Sequence, residues 1–307
     1  MNHQFRIRIA TRTSLLAIWQ SNLVASLLKA RDPNLEVELV KLVTEGDRRI
    51  DTPLSKIGGK ALFIKELEVS ILENRADIAV HSMKDVPNQL PTGFSIVAVL
   101  EREDVHDVLV SREGYSLQNL PVGATVGTSS LRRKSQLLSY RPDLVIRDLR
   151  GNVPTRLAKQ KDGDYDAIVL AAAGLKRLGL YDDMAQSLSI SEMLPAVGQG
   201  AIGIEARTDE KELAHTMDFL NDSSSFREVS AERAFSAFLN GSCQAAIGAL
   251  AEVRGENLAL KGVVADPDGS KIIRLDVTGP IHNPESVGND LGKKMRKAGA
   301  DQLLQLS

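Results

Sequence analysis

The stretch Thr125-Val126-Gly127-Thr128-Ser129-Ser130-Leu131-Arg132-Arg133 decides the fold class. Its first residues are strand-like and end in glycine. Three hydroxyl residues of the kind that cap helices follow, and a helical pattern then runs over 131–140. A strand over 144–147, a helix over 153–160 and a strand over 167–171 continue the alternation. The same alternation occurs upstream: strand 5–10, helix 15–29 with Leu16, Trp19, Leu23 and Leu27 on one face, strand 37–43, helix 62–73 and strand 78–81. Two such series predict two α/β units with largely parallel sheets. The charged run Glu101-Arg102-Glu103-Asp104 is the expected linker, and strand 108–110 opens the second unit. Helix 224–238, strands 258–264 and 272–277 and helix 284–298 predict a smaller α+β unit at the C-terminus.

Composition narrows the function. The 307 residues exceed one ordinary core, and 43% apolar with 25% charged residues is typical of a soluble globular chain. The first residues, Met1-Asn2-His3-Gln4-Phe5-Arg6, hold no apolar export signal, and no segment approaches a membrane span, so a cytoplasmic location is expected. A net charge of −2 argues against general nucleic-acid binding. Residues 128–156 nevertheless carry seven basic side chains against two acidic ones, a local +5. A near-neutral protein with such a block points to a small polyanionic ligand rather than a long nucleic acid. Five scattered histidines without ligand spacing give no case for a metal.

Ligands of open α/β sheets bind beyond the carboxyl ends of strands, where loops meet helix N-termini. The polar signals fall there. Arg12 and Ser14 follow the first strand, and Ser82, Lys84 and Asp85 follow strand 78–81. Thr128, Ser129 and Ser130 precede a helix opened by Arg132 and Arg133, and Arg150 and Asn152 follow strand 144–147. Hydroxyl caps, free N–H groups and guanidinium forks all suit carboxylates. Within His81-Ser82-Met83-Lys84-Asp85-Val86-Pro87, the proline pushes Val86 toward an extended backbone just after Asp85. A carboxylate among cations can stabilise a developing positive charge or relay protons; a helix cap or a salt bridge with Lys84 is the plainer alternative. Lys56-Ile57-Gly58-Gly59-Lys60 reads as a flexible loop bringing two ammonium groups over a ligand, without phosphate-loop spacing. The single cysteine, Cys243, lies in the polar run Asn240-Gly241-Ser242-Cys243-Gln244 after an apolar helix. An isolated cysteine is often a small buried hydrophobe; here the setting also suits a sulfur kept free for covalent chemistry.

Taken in order, these motifs resemble the porphobilinogen deaminase (hydroxymethylbilane synthase) family. The resemblance runs through Ala10-Thr11-Arg12-Thr13-Ser14, Gly58-Gly59-Lys60, Ala79-Val80-His81-Ser82-Met83-Lys84-Asp85-Val86-Pro87, the 126–133 stretch, Leu149-Arg150-Gly151-Asn152-Val153, Ala172-Ala173-Gly174-Leu175-Lys176-Arg177, Leu194-Pro195-Ala196-Val197-Gly198-Gln199-Gly200 and Ser242-Cys243-Gln244. It implies a transferase that condenses four porphobilinogens head to tail with loss of ammonia, then releases hydroxymethylbilane by hydrolysis, in tetrapyrrole and haem biosynthesis. It implies a dipyrromethane cofactor joined to Cys243 by a thioether, with Asp85 as the catalytic carboxylate beside pyrrole nitrogens. The implied cofactor- and substrate-binding residues are Arg12, Ser14, Lys84, Thr128, Ser129, Ser130, Arg132, Arg133, Arg150, Arg156, Arg177 and Gln199, with Lys56 and Lys60 on a mobile loop and no metal. The implied fold has two periplasmic-binding-protein-like α/β domains (1–100 with 200–218, and 105–195) and a smaller α+β domain (222–307) carrying the cysteine. The family also implies a monomer whose partner is a small molecule, not nucleic acid or membrane. The sequence departs from the family pattern at Leu15, Ala61, Ser242 and Ala246.

Two rivals explain part of the chain. A clamshell protein that captures a polycarboxylate would use the arginines but not Cys243. A cysteine-nucleophile hydrolase would need a histidine paired with Cys243, and none is evident.

Overall fold

The computed structural model describes residues 6–48, 64–241 and 245–305. In chain order the elements are β1 (Arg6–Arg12), α1 (Leu15–Arg31), β2 (Glu36–Leu42), α2 (Glu45–Arg48), α3 (Lys65–Leu72), β3 (Ile78–Ser82), β4 (Phe94–Val99), β5 (Asp107–Ser111), β6 (Thr125–Gly127), α4 (Leu131–Tyr140), β7 (Val145–Arg147), α5 (Val153–Asp162), β8 (Ala167–Ala171), α6 (Ala172–Arg177), β9 (Ala185–Ser187), β10 (Ile202–Arg207), α7 (Lys211–Met217), α8 (Ser223–Phe238), β11 (Ile247–Arg254), β12 (Asn257–Ala265), β13 (Ile272–Pro280), α9 (Pro284–Lys297) and α10 (Ala300–Leu304).

These strands build two five-stranded sheets, β2-β1-β3-β10-β4 and β7-β6-β8-β5-β9, and one three-stranded sheet, β11-β12-β13. The protein is therefore α/β with a smaller C-terminal α+β unit. Both large sheets are mixed rather than largely parallel. Strands β1, β2 and β3 run parallel, but β10 is antiparallel to both β3 and β4. Strands β6, β7 and β8 run parallel, but β5 is antiparallel to β8 and β9. The chain leaves the first sheet near 101 and returns after Gly200 to insert β10 between β3 and β4. Because the two passages run side by side, each sheet receives one strand in the opposite sense. The passages touch: Glu103 N–H donates to the Gly200 carbonyl at 3.2 Å. Gly200 has φ +88, and a Cβ there would lie 2.3 Å from the Glu103 carbonyl oxygen, so this crossing needs glycine.

Helix starts follow local chemistry. Ser14 caps α1 by accepting from Ala17 N–H, Ser130 caps α4 by accepting from Arg133 N–H, and Asn152 caps α5 by accepting from Thr155 N–H. The buried face of α1 is Ala17, Gln20, Ser21, Val24 and Leu28, one position round from the expected stripe, and Leu27 is exposed. Small Ala17 and Ser21 face the sheet, and the longer Trp19 and Leu23 pack at the edge of the core formed by Ile7, Ile9, Val24 and Ile204. In the C-terminal unit, α8 and α9 cover β11-β12-β13 through Phe235, Leu258, Leu260 and Leu291. A Cβ on Gly288 would sit 2.3 Å from the Ala231 carbonyl, so glycine sets how closely these two helices approach.

Candidate active site

The capped ends of α1, α4 and α5 follow β1, β6 and β7, and a single 3₁₀ turn, Met83–Asp85, follows β3. Four strand ends thus deliver polar residues to the region between the two large sheets. Lys84, Asp85, Arg133 and Arg156 are close enough to perturb one another, and Arg150 acts on Arg156. Arg177 joins them across a narrow cavity lined by Leu16, Ser82, Lys84, Gly174 and Gly198. Its Nη2 donates to the Gly200 carbonyl at 2.7 Å, and its guanidinium lies 5.8 Å from the Trp19 ring centre.

Burial and mutual repulsion weigh on these cations. Burial pushes the Lys84 ammonium down to about 8, with Asp85 opposing the shift and Arg133 adding to it. Burial, then Arg133 and Arg150, push Arg156 down to about 10, and burial brings Arg177 to about 10. Arg150 is lowered by burial as well, with Asp148 opposing. Guanidinium groups still hold their protons at neutral pH. The shifts therefore register desolvation and mutual repulsion that bound carboxylates would relieve.

The other expected site residues have definite structural work. Arg12 is forked onto Asp47, with Nε 3.1 Å from Oδ2. Burial would raise the Asp47 carboxyl, but Arg12 and Thr44 hold it below the usual range. Ser14 and Ser130 use their hydroxyls as caps. Thr128 Oγ1 accepts from Ser130 N–H at 3.2 Å, and Ser129 Oγ exchanges hydrogen bonds with the backbone of Leu149 at 3.1 Å. Arg132 and Arg133, 4% and 6% exposed, both grip Asp107. Gln199 is fully buried and donates to the Val105 carbonyl at 2.8 Å and to Asp107 at 3.1 Å. Lys56, Lys60 and Cys243 lie outside the described residues.

The flank of Cys243 is described. Gly241 follows Asn240, whose φ is +53, at the end of α8. Asn88 Nδ2 donates to the Gly241 carbonyl at 2.7 Å and to Ser236 Oγ at 2.9 Å. Arg233 on α8 donates to the carbonyls of Val86, Pro87 and Asn88. The segment after Asp85 is thereby tied to the helix that ends just before the cysteine. Neither Asn88 nor Arg233 stood out in the sequence, because each acts on backbone carbonyls far away in the chain. Asp107 was missed too; it read only as the residue before a short strand.

Nor is the cationic block of 128–156 a single surface. Arg141 is tied to Asp143 and to the carbonyls of Leu117 and Leu120, where it holds a loop together.

Among solved structures, the chain is similar to a VFT2 domain of Bordetella pertussis BvgS (16% identity, 71% of this chain and 86% of that chain, TM-score 0.44). It is also similar to a probable amino-acid ABC transporter extracellular-binding protein, YtmK, from Bacillus subtilis (14% identity, 70% and 90%, TM-score 0.44). Residues 7–215 match the family model of the porphobilinogen deaminase dipyromethane cofactor binding domain, and residues 226–297 match that of the porphobilinogen deaminase C-terminal domain. With both domains matched in order over most of its length, the chain belongs to the porphobilinogen deaminase family.

Proposed function

We propose that the protein makes hydroxymethylbilane by joining four porphobilinogens head to tail on a dipyrromethane primer held by Cys243, releasing ammonia at each step and then freeing the tetrapyrrole by hydrolysis. The observation that carries this reading is the 2.7 Å hydrogen bond from Asn88, three residues after Asp85, to the carbonyl of Gly241, two residues before Cys243. It ties the thiol-bearing segment to the carboxylate-bearing loop.

The donor set fits a polycarboxylate cofactor. Lys84 and Arg156 act directly on Asp85, Arg133 crowds both of these cations and Arg150 crowds Arg156, and Arg177 lines the same cavity as Lys84, with burial and crowding that anions would relieve. When bound, dipyrromethane supplies the electron-rich pyrrole terminus from which a chain grows. The protein's own residues do the rest. The guanidinium forks bind acetate and propionate side chains and orient the rings. Asp85 supplies negative charge at the pyrrole nitrogen, where positive charge develops, and is too weakly nucleophilic to be alkylated readily. Lys84 binds a carboxylate as a point charge. Arg132 adds a further carboxylate-binding fork, Arg12, Ser14, Thr128, Ser129, Ser130 and Gln199 shape the walls, and Lys56 and Lys60 are expected over the cleft.

We read the chain as three domains, 1–100 with 200–218, 105–195 and 222–307, acting as a cytoplasmic monomer. Among the described residues no helix is long and apolar enough to cross a membrane.

The test is intact mass spectrometry of the purified protein, before and after porphobilinogen. The expected result is extra mass equal to two linked pyrroles, located on Cys243, that grows in single-pyrrole steps. A bare chain that stays bare after cofactor loading has been attempted would return the site to a non-enzymatic polycarboxylate binder.

A further inference from the structure

Asp107 opens β5 and is fully buried. Its two oxygens are divided between neighbouring arginines. Oδ2 accepts from Arg132 Nη1 at 2.7 Å, and Oδ1 accepts from Arg133 Nη2 at 2.7 Å and Nε at 3.1 Å. Gln199, in the chain's return passage, adds a third donor to Oδ1 at 3.1 Å. Each arginine is also pinned by a carbonyl, Arg132 by Leu194 at 2.8 Å and Arg133 by Val169 at 2.9 Å. Burial would raise the Asp107 carboxyl, but the two guanidiniums override it and hold it far below the usual range. Its charge also reaches Lys84, which it helps keep protonated.

This arrangement leaves a defined set of donors. Both Nη1 protons of Arg132 are used, and among the described residues its Nε and Nη2 edge makes no hydrogen bond. That edge is the fork that grips a carboxylate bidentately. A long arginine side chain has many rotamers to lose, so an arginine already fixed by a buried anion loses less on gripping a ligand. One carboxylate facing two guanidiniums also tempers the positive potential, so that ligand carboxylates are held without being locked.

We propose that Asp107 is the positioning residue of the substrate site: by holding Arg132 through Nη1 and occupying the Nε–Nη2 edge of Arg133, it leaves the Arg132 fork to face a pyrrole carboxylate in one geometry and links both arginines to the crossover through Gln199. The inference rests on the deaminase reading for the identity of the carboxylates. It recasts Gln199 as a residue that acts through Asp107.

The test uses the full-length enzyme with Asp107→Asn and Asp107→Glu. A positioning role predicts that Asp107→Asn raises KM for porphobilinogen about 10-fold, with a smaller fall in kcat, and changes the distribution of chain lengths seen by intact mass under limiting substrate. Asp107→Glu restores the charge but moves it by one methylene, so it should recover melting temperature while KM stays high. Recovery of both by Asp107→Glu would reduce Asp107 to a buried counter-charge, and a wild-type KM in Asp107→Asn would remove it altogether. If neither variant folds, the wild-type enzyme decides through ¹⁵N-arginine spectra. The Arg133 Nε–H should exchange slowly with and without porphobilinogen, and fast exchange in either state overturns the proposal. A wild-type protein with no pyrrole mass would sink the deaminase reading instead, leaving Asp107 to be judged by the exchange measurement.

Discussion

The two large sheets share one plan and use it for different ends. Each has three parallel strands, a strand inserted in the opposite sense and an edge strand that runs with the first three, and in each a serine-capped helix leaves one of the parallel strands. Each inserted strand also brings in one fully buried carboxylate, Glu205 on β10 and Asp107 on β5. The fates of these two groups differ. Asp107 has two arginines and a glutamine on it. Glu205 Oε2 lies 2.7 Å from His81 Nε2, while among the described residues its Oε1 has no hydrogen-bond partner and Glu68 stands near enough to repel it. The same insertion thus yields a satisfied anion that organises arginines in the second sheet and an electrostatic weak point in the first. What distinguishes the sheets is which side chains surround the buried carboxylate of the inserted strand.

The turn after β3 in the first sheet contributes Asp85, which we propose carries the chemistry, so Asp85→Asn should lower kcat by at least about 100-fold with an unchanged circular dichroism spectrum. Near-normal turnover would move the chemistry elsewhere. In the second sheet, Arg132→Leu should cost about 3 kcal/mol of stability, because Asp107 stays buried with only one arginine. It should also stall chain growth at short species in intact-mass spectra. A loss of stability with normal chain lengths would make Arg132 a structural counter-ion only.

A smaller effect should appear in the pH profile. Lys84 titrates near 8, so its charge is present below that pH and lost above it. KM for porphobilinogen should therefore rise as pH passes 8, and Lys84→Arg should flatten the rise. A profile unchanged by Lys84→Arg would exclude this ammonium from carboxylate binding.

The smallest effect is expected behind the first sheet. Burial and Glu205 push Glu68 up to about 7, with His81 opposing. The folded state then holds a proton that the unfolded state releases nearer 4.5, so this group costs stability as pH rises from 4.5 through 7. Glu68→Gln should raise Tm by about 2 °C at pH 8 and leave it unchanged at pH 4. A shift of equal size at both pH values would mean that repacking, not charge, is responsible.

Much of this was readable along the chain because the forces involved are local. The hydroxyls of 128–130 announce a cap within one turn of Arg133, Pro87 restricts Val86 next to Asp85, and the arginines are visible as residue types. Ordered motifs from Arg12 to Gln244 were enough to point to the family. Sequence period also predicted a helix over 15–29, but not the side it buries, because tight packing selected Ala17 and Ser21 over the bulkier Trp19 and Leu23.

The tertiary structure alone decided the rest. Strand β10 joins a sheet whose other strands lie more than a hundred residues earlier, and its antiparallel sense follows from the route of the chain, not from its own residues. Asp107 meets Arg132 and Arg133 across 25 and 26 residues, and Asn88 meets Gly241 across 153. The sequence determined which residues could bind anions; the fold determined which of their donors are already spent on the protein and which are left for a ligand. The physical reason is that a buried charge is governed by its neighbours in space, and those neighbours are assigned only when the sheets close.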